Sequence, residues 1–149
     1  MAKAITKRTL MGFRNGKVNM WAPEDLINKI KNQPELFVKK VHDLVGKDVK
    51  INAIVGNPPY QVMDGGAGVS AKPVYNEFVN IARTLSPNYI SMIMPSRWYA
   101  GGKGLDAFRD SMLNDKHIAK LFDYFDATDV FPKIDLSGGV CYFFMVCCS

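Results

Sequence analysis

The sequence is poor in the residues that build metal centres and disulfide frameworks. It has three cysteines and two histidines in 149 residues. The cysteines, Cys141, Cys147 and Cys148, share one apolar segment and lack metal-ligand spacing. This pattern predicts no metal site and favours structural thiols in a reducing cytoplasm.

Long apolar runs are also lacking. No run approaches the roughly 18 residues that a membrane-spanning helix requires. Residues 1–8 do not have the apolar core of a secretion signal. The sequence therefore predicts a cytoplasmic protein without a membrane partner.

Charge is distributed unevenly along the chain. Residues 1–50 carry 11 Lys and Arg against 5 Asp and Glu, whereas residues 51–149 carry 8 against 9. A basic region attracts polyanions such as DNA, but a lysine-rich helix exposed to solvent has the same composition. The charge is therefore compatible with a nucleic-acid partner without identifying one.

The hydrophobic pattern changes near residue 49. Before it, residues 1–20 show no clear period, Pro23-Glu24-Asp25 resembles a helix start, and a second helix is predicted over 34–45 with Gly46 as its stop. After it, we predict strands over 49–55, 89–94, 118–124 and 140–148, and helices over 74–85 and 105–114. The chain therefore divides into a basic, mainly helical N-terminal segment, residues 1–48, and a second region, residues 49–149.

The alternation of strands and helices in the second region predicts an α/β fold. Such βαβ units build a largely parallel sheet. The last two predicted strands have no helical pattern between them, which favours antiparallel pairing for that pair.

The most informative motif is Asn57-Pro58-Pro59-Tyr60, which directly follows the apolar run 51–56. It therefore lies at the carboxyl end of a predicted strand, where open α/β sheets bind ligands. The two prolines fix φ and favour an extended conformation before them. A stiff loop of this kind presents an amide, backbone carbonyls and an aromatic ring to a planar substrate such as a nucleobase. A simple Pro-Pro turn with a half-buried tyrosine is the alternative.

The motif resembles the Asp/Asn/Ser-Pro-Pro-Tyr/Phe motif IV of amino-group methyltransferases that use S-adenosylmethionine. Residues 51–148 are more specifically similar to N6-adenine DNA methyltransferases of type II restriction–modification systems, particularly IIG-like ones fused to an endonuclease. The stretches that carry the resemblance are Ile-Val-Gly-Asn-Pro-Pro-Tyr-Gln at 54–61, Lys-Pro-Val-Tyr-Asn-Glu-Phe-Val at 72–79, Ile-Met-Pro-Ser-Arg-Trp-Tyr-Ala-Gly-Gly-Lys-Gly-Leu at 93–105 and Gly-Gly-Val-Cys-Tyr-Phe at 138–143.

The resemblance implies methyl transfer from S-adenosylmethionine to N6 of a flipped adenine in DNA. Adenine N6 is a poor nucleophile, and hydrogen bonds to the Asn57 side-chain oxygen and the Pro58 carbonyl would favour a more nucleophilic geometry. Tyr60 would stack on the flipped base. Asn57 would also face the cofactor. The remaining expected substrate-binding residues are Pro59, Gln61, Ser96, Arg97, Trp98 and Lys103.

Three other stretches carry weaker signals. Residues 66–71 formally match a dinucleotide-binding glycine pattern but lack the preceding strand and the later acid, which favours a flexible lid. The glycine loop 101–104 is not a P-loop, and Arg97 or Lys103 would either bind phosphate or be solvated. The acidic, aromatic stretch 122–135 is interpreted as a strand end and polar loop in preference to a metal or acid–base site.

The resemblance also implies a missing half. Full-length members begin with a strand and a Phe-x-Gly-x-Gly turn that holds the cofactor, and this turn is not found before Asn57. We therefore expect the C-terminal half of a Rossmann-like methyltransferase fold with an N-terminal helical segment. Such a chain would be inactive alone and would bind S-adenosylmethionine weakly or not at all. Its partners would include the cofactor-binding half, a target-recognition region or a fused endonuclease.

Two alternatives remain open. Release-factor glutamine N5-methyltransferases share Asn-Pro-Pro-Tyr but lack the Pro-Ser-Arg-Trp and Gly-Gly-Val-Cys-Tyr stretches. A non-catalytic DNA-binding or complementing subunit would use the basic first third of the chain instead.

Overall fold

The computed structural model describes residues 10–14, 17–21, 32–46, 50–62, 72–133 and 136–147. The chain divides into two compact units, residues 1–50 and residues 51–149. Their elements in chain order are β1 (Leu10–Arg14), β2 (Lys17–Trp21), α1 (Pro34–Val45), β3 (Ala53–Gly56), β4 (Gln61–Val62), β5 (Lys72–Pro73), α2 (Tyr75–Thr84), β6 (Tyr89–Pro95), the 3₁₀ helix η1 (Ser96–Ala100), α3 (Asp106–Leu113), β7 (Ile118–Tyr124), the 3₁₀ helix η2 (Ala127–Asp129) and β8 (Val140–Val146).

The N-terminal unit contains a hairpin that the sequence pattern did not predict. Strands β1 and β2 pair antiparallel, with Arg14 opposite Lys17. The prediction of a mainly helical segment was therefore incomplete. Asn-Gly at 15–16 is the dipeptide favoured between hairpin strands and was the signal to use. The helix start proposed at residue 23 lies outside the described residues.

Helix α1 has the predicted bounds. It begins at Pro34, whose missing N–H costs nothing in the first turn. It ends before Gly46, which adopts a φ of 113° and donates its N–H to the His42 carbonyl at 2.8 Å. A positive φ is accessible to glycine without steric cost, which explains the helix stop.

The C-terminal unit is built on a four-stranded mixed sheet of order β3-β6-β8-β7. Strands β3 and β6 are parallel, whereas β8 is antiparallel to both β6 and β7. The predicted antiparallel pairing of the last two strands is confirmed, and the expected largely parallel sheet is compatible with this mixed sheet, in which β8 alone runs against the other three strands. No described helix of crossover length joins β7 to β8, and parallel neighbours require such a crossover.

One face of the sheet carries the hydrophobic core. Alternate residues of the central strands β6 and β8 are buried, as expected when one face is covered by helices. The core cluster combines Ile90, Met92, Met94, Cys141, Phe143 and Met145 with Tyr75, Val79 and Ala82 of α2 and with Trp98, Leu105, Phe108 and Met112. Full burial of such side chains contributes roughly 1.5–3 kcal/mol each.

The opposite face is apolar and much less covered; we call it the open face. Phe122 stacks on Tyr142 with ring centroids 4.5 Å apart, and Tyr89 stacks on Phe144 at 5.8 Å. Val55 on the edge strand β3 is 77% exposed. Strand β3 pairs with β6 on one side only within the described part of the chain. Sheets of α/β proteins are normally covered on both faces.

An ion pair ties α2 to the segment between α3 and β7. Arg83 donates to Asp115 Oδ2 at 2.7 Å and to Ser111 Oγ at 2.8 Å. Asp115 also accepts from the His117 backbone N–H at 2.9 Å. Burial raises the pKa of Asp115, but the His117 hydrogen bonds and the Arg83 charge outweigh it, so the pKa lies below its usual value.

We predict that Arg83→Met lowers the free energy of unfolding by about 1–3 kcal/mol at pH 7, because a partly buried carboxylate loses its charged partner. A lowered folded-state pKa means that the pair stabilises the fold above about pH 4 and that this stabilisation is lost as the pH falls. Urea unfolding at pH 7 and pH 3 measures both effects. Asp110→Asn removes an exposed pair and is the control. A penalty for Arg83→Met as large at pH 3 as at pH 7 would contradict the electrostatic origin.

Candidate functional site

The strand directions bring three loops to one edge of the sheet. Strands β3 and β6 run in parallel, and β7 runs the same way because both β6 and β7 are antiparallel to β8. Their carboxyl ends therefore lie at the same edge, and β8 begins there. The residues that follow these ends are 57–61, 96–103 and 125. This is the position at which open α/β sheets bind ligands.

A cavity of about 540 Å³ lies at this edge. Its wall includes residues from all three segments, namely Tyr60, Gln61, Ser96, Arg97, Tyr99, Lys103 and Phe125, together with Tyr75 of α2 and Asp123 of β7. The volume falls within the range of roughly 300–1,000 Å³ that small-molecule sites occupy. The cavity can therefore accommodate a ligand of nucleobase size.

Tyr60 is held by backbone contacts to the start of α2. Its carbonyl accepts a hydrogen bond from the Val74 N–H at 3.2 Å. Strand β4 pairs with β5 directly after it, with Gln61 opposite Pro73. Burial and the nearby Cys141 raise the pKa of Tyr60, and the Asn57 side chain opposes this. The tyrosine is therefore a neutral aromatic group at the cavity wall.

Four polar side chains lie around the buried Cys141 thiol: those of Tyr75, Ser96, Tyr99 and Asp123. Cys141 Sγ accepts from Trp98 Nε1 at 3.3 Å, and Ser96 Oγ donates to Asp123 Oδ1 at 2.5 Å. Burial raises the pKa of Cys141 despite the Trp98 hydrogen bond. Burial and the neighbouring Cys141 and Asp123 also raise the pKa of Tyr99. The uncharged phenols and thiol can therefore serve as hydrogen-bonding groups at neutral pH.

Two basic side chains lie on the exposed part of the wall. Arg97 Nε donates to the Ser137 carbonyl at 2.8 Å, which fixes the guanidinium close to the start of β8. Lys103 has a φ of 51° between glycines that also adopt positive φ. The Gly102 N–H is already bound to Asp106 Oδ1 at 2.9 Å. Positive charge at the wall therefore comes from the Arg97 and Lys103 side chains, whereas the Gly102 N–H is already hydrogen-bonded.

The comparisons with known proteins agree with this arrangement. Residues 1–131 match the family described as Eco57I restriction-modification methylase. The chain belongs to this family. Over 98 residues the chain is 38% identical to a Mycoplasma pneumoniae protein named "Uncharacterized adenine-specific methylase", which covers 64% of this chain and 23% of that protein. The chain therefore spans about a quarter of the length of the curated relative it matches. No solved structure matches the chain.

The structure brings five of the predicted substrate-side residues together. Tyr60, Gln61, Ser96, Arg97 and Lys103 all line the cavity. Their roles in substrate binding stay predictions.

The other predicted residues lie outside the cavity wall. Asn57 and Pro59 are exposed and Pro58 is buried, next to Tyr60 in the same loop. Trp98 is 1% exposed and packs edge-on against Phe108 with centroids 5.9 Å apart. The expectation that Trp98 contacts substrate does not fit this position. Its apolar ring fills the core, and its indole N–H is bound to Cys141.

Sequence reasoning missed several residues of the wall. Asp123 was interpreted as a strand end, yet it faces the cavity together with Tyr75 and Tyr99. Phe125 is 94% exposed and lies at the cavity wall directly after β7. An exposed aromatic after a strand that ends at the ligand-binding edge was the available signal. The residues expected to form a lid, 66–71, lie outside the described part of the chain.

Metal and membrane features are absent from the described residues. No group of three or more His, Cys, Asp or Glu is arranged to hold a metal ion there. Within the same ranges, no helix has the length and apolar character to cross a bilayer.

Gly139 sets the spacing between β7, η1 and β8. It adopts a φ of 70°, and an added Cβ would clash with the Tyr124 carbonyl oxygen and lie 2.9 Å from that of Phe125. Its own carbonyl accepts from the Ser96 N–H at 3.2 Å. A glycine here allows three backbone segments of the site to approach one another.

We predict that Gly139→Ala destabilises the protein more than Gly102→Ala does. Gly102 also has a positive φ, but nothing lies within 4 Å of its added Cβ, so only the conformational penalty of about 1–2 kcal/mol applies. Gly139→Ala adds the clash with backbone atoms to the same penalty. Urea unfolding of both variants gives the comparison. Equal losses would mean that the β7–β8 spacing adjusts without cost.

Proposed function

We propose that this chain provides the target-base pocket of an enzyme that transfers a methyl group from S-adenosylmethionine to N6 of adenine in DNA. Membership of the restriction-modification methylase family and the adenine-specific name of the relative support the reaction class. The observation that carries the proposal is the position of Tyr60. Tyr60 lines the cavity, which can accommodate a nucleobase, and Asn57 and Pro58 precede it in the same stiff loop.

The loop chemistry fits an exocyclic amine. Two acceptors, the Asn57 side-chain oxygen and the Pro58 carbonyl, would take the N6 protons and favour a pyramidal, more nucleophilic nitrogen. Tyr60 would stack on the base and recover part of the cost of unstacking it from the duplex. Orientation for attack on the methyl group then supplies much of the acceleration without a strongly basic residue.

The residues of this chain fit only part of the cofactor. Asn57 is exposed at the carboxyl end of β3, beside the cavity, where a methyl donor could approach the amine. S-adenosylmethionine supplies an electrophilic methyl group when bound. In the described ranges no strand lies on the outer side of β3, so no further strand end is present there to hold the rest of the cofactor.

We therefore also propose that the active form contains more of a Rossmann-like sheet than this unit provides. Among the described residues, no strand pairs with the outer side of β3, and the open face exposes Val55, Phe122 and, in part, Tyr142. Both are surfaces that an extended α/β sheet with helices on both faces would cover. The relative is long enough to contain such additional elements, since the aligned region is 23% of it.

Arg97 and Lys103 are proposed to contact the DNA backbone. Both are exposed at the cavity wall. Phosphate contacts of this type position the duplex without reading its sequence. A target-recognition region or fused endonuclease in the complete protein would supply sequence selection or cleavage.

We predict that Tyr60→Ala weakens binding of a single-stranded, adenine-containing oligonucleotide by about 5- to 150-fold, the equivalent of roughly 1–3 kcal/mol of base stacking. Tyr60→Phe keeps the ring and is the matched control, with an expected change of less than about 3-fold. Fluorescence anisotropy of a labelled oligonucleotide gives both dissociation constants. Equal losses in the two variants would count against stacking.

We predict that the isolated chain binds S-adenosylmethionine with a dissociation constant above the micromolar range and does not methylate adenine-containing DNA. Isothermal titration calorimetry and transfer of a radioactive methyl group test the two statements. Addition in trans of a polypeptide that contains the proposed cofactor-binding half is expected to restore methyl transfer. Micromolar cofactor binding by the chain alone would contradict the proposed incompleteness.

A further inference from the structure

Tyr75 presents a hydroxyl group without a function in the folded chain. It is the first residue of α2, its side chain is 2% exposed, and it lines the cavity. The hydroxyl oxygen is buried and has no hydrogen-bond partner among the described residues. Buried polar groups are almost always hydrogen-bonded in native proteins. An orphaned hydroxyl at a cavity wall therefore points to a partner that enters the cavity.

The ring of Tyr75 is fixed by packing. It contacts Phe108 edge-on with centroids 6.1 Å apart, and both rings belong to the core cluster. A side chain held in this way cannot rotate its hydroxyl to a distant protein group without disturbing the core. The hydroxyl is therefore preorganised for a ligand.

The neighbouring side chains of Ser96 and Cys141 are hydrogen-bonded to residues other than Tyr75. Ser96 donates to Asp123, and the Cys141 sulfur accepts from Trp98. Burial and Cys141 raise the pKa of Tyr75 to about 12, against the opposing charge of Arg97. Tyr75 consequently remains a protonated donor throughout the neutral range.

We propose that the Tyr75 hydroxyl is a specificity-determining group that donates a hydrogen bond to a ring nitrogen of the adenine bound in the cavity. The proposal rests on the proposed function, which supplies acceptors for the N6 amine but no donor for the ring. Adenine carries unprotonated ring nitrogens at positions 1, 3 and 7, each a hydrogen-bond acceptor. Buried without a donor, such a nitrogen would lose its bond to water. Tyr75 supplies that donor from the cavity wall.

The experiment removes the donor by Tyr75→Phe and the three possible acceptor nitrogens one at a time in adenine analogues. Wild-type chain and Tyr75→Phe are titrated with 2′-deoxyadenosine and its 1-deaza, 3-deaza and 7-deaza analogues by saturation-transfer NMR. We expect the wild type to bind one analogue about 3- to 10-fold more weakly than deoxyadenosine. Tyr75→Phe should bind deoxyadenosine more weakly by the same factor and no longer distinguish that analogue. Tyr89→Phe, which removes a hydroxyl on the open face, is the matched control and should behave as wild type.

A second measurement separates a ligand-binding role from a structural one. Because the hydroxyl is unpaired in the free chain, Tyr75→Phe should have an unchanged or higher melting temperature without ligand. A lower melting temperature would reveal an internal hydrogen bond and overturn the proposal.

The remaining outcomes are equally decisive. Binding of deoxyadenosine by Tyr75→Phe with wild-type affinity, or retained discrimination among the analogues, would overturn the role of Tyr75 while leaving the proposed function intact. Failure of the wild type to bind deoxyadenosine at all would overturn the proposed function and this proposal with it. If S-adenosylhomocysteine loses affinity on Tyr75→Phe and deoxyadenosine does not, the adenine in contact is that of the cofactor and the proposal fails.

Discussion

The antiparallel pairing of β8 with both of its neighbours determines where the site lies. Because β8 runs against β6 and β7, its first residues meet the carboxyl ends of those strands. Cys141 is thereby placed behind the cavity wall, opposite Asp123 in the register of β7. The glycines that precede β8 let the backbone of the β7 loop and the start of η1 approach. Cys141 and Asp123 lie on this strand and on its β7 partner, and Ser96, which directly follows β6, is hydrogen-bonded to Asp123.

Two aromatic side chains of the site pack tightly in the core, and one of them has a hydroxyl group without a hydrogen-bond partner. Tyr75 and Trp98 fill the core with their rings and direct their polar atoms toward the same region around Cys141. Trp98 finds a partner there, whereas Tyr75 does not. A core built only for stability would replace Tyr75 with phenylalanine. The retained oxygen is best understood as a binding group, since packing alone does not require it.

The sequence allowed the secondary structure of the site to be predicted but not its inner wall. The strand over 118–124 and the helix over 34–45 match the observed elements residue for residue. The helix has a clear hydrophobic period, with Pro34 at its start and Gly46 at its stop. The loop from Asn57 to Tyr60 was recognised because two prolines and an aromatic residue after an apolar strand are a local signal. Tyr75 and Asp123 gave no such signal, since their role depends on contacts between segments that are distant in sequence. Trp98 was misplaced for the same reason: its motif indicated a site, and only the packing shows that its ring faces the core.

The covered and uncovered surfaces of the unit would explain how it could hold the proposed base pocket without the rest of the proposed active site. The described residues of the cavity wall lie between residues 60 and 138, within the C-terminal unit. The open face, by contrast, is exposed to solvent. Val55 is largely exposed there, and the stacked aromatic rings are partly exposed. Methyl transfer requires that an electrophile reach the amine beside Asn57, which follows the edge strand β3. The loop 57–60 therefore lies between the cavity and the unpaired side of β3, and it is the loop at which the two substrates of the proposed reaction would meet.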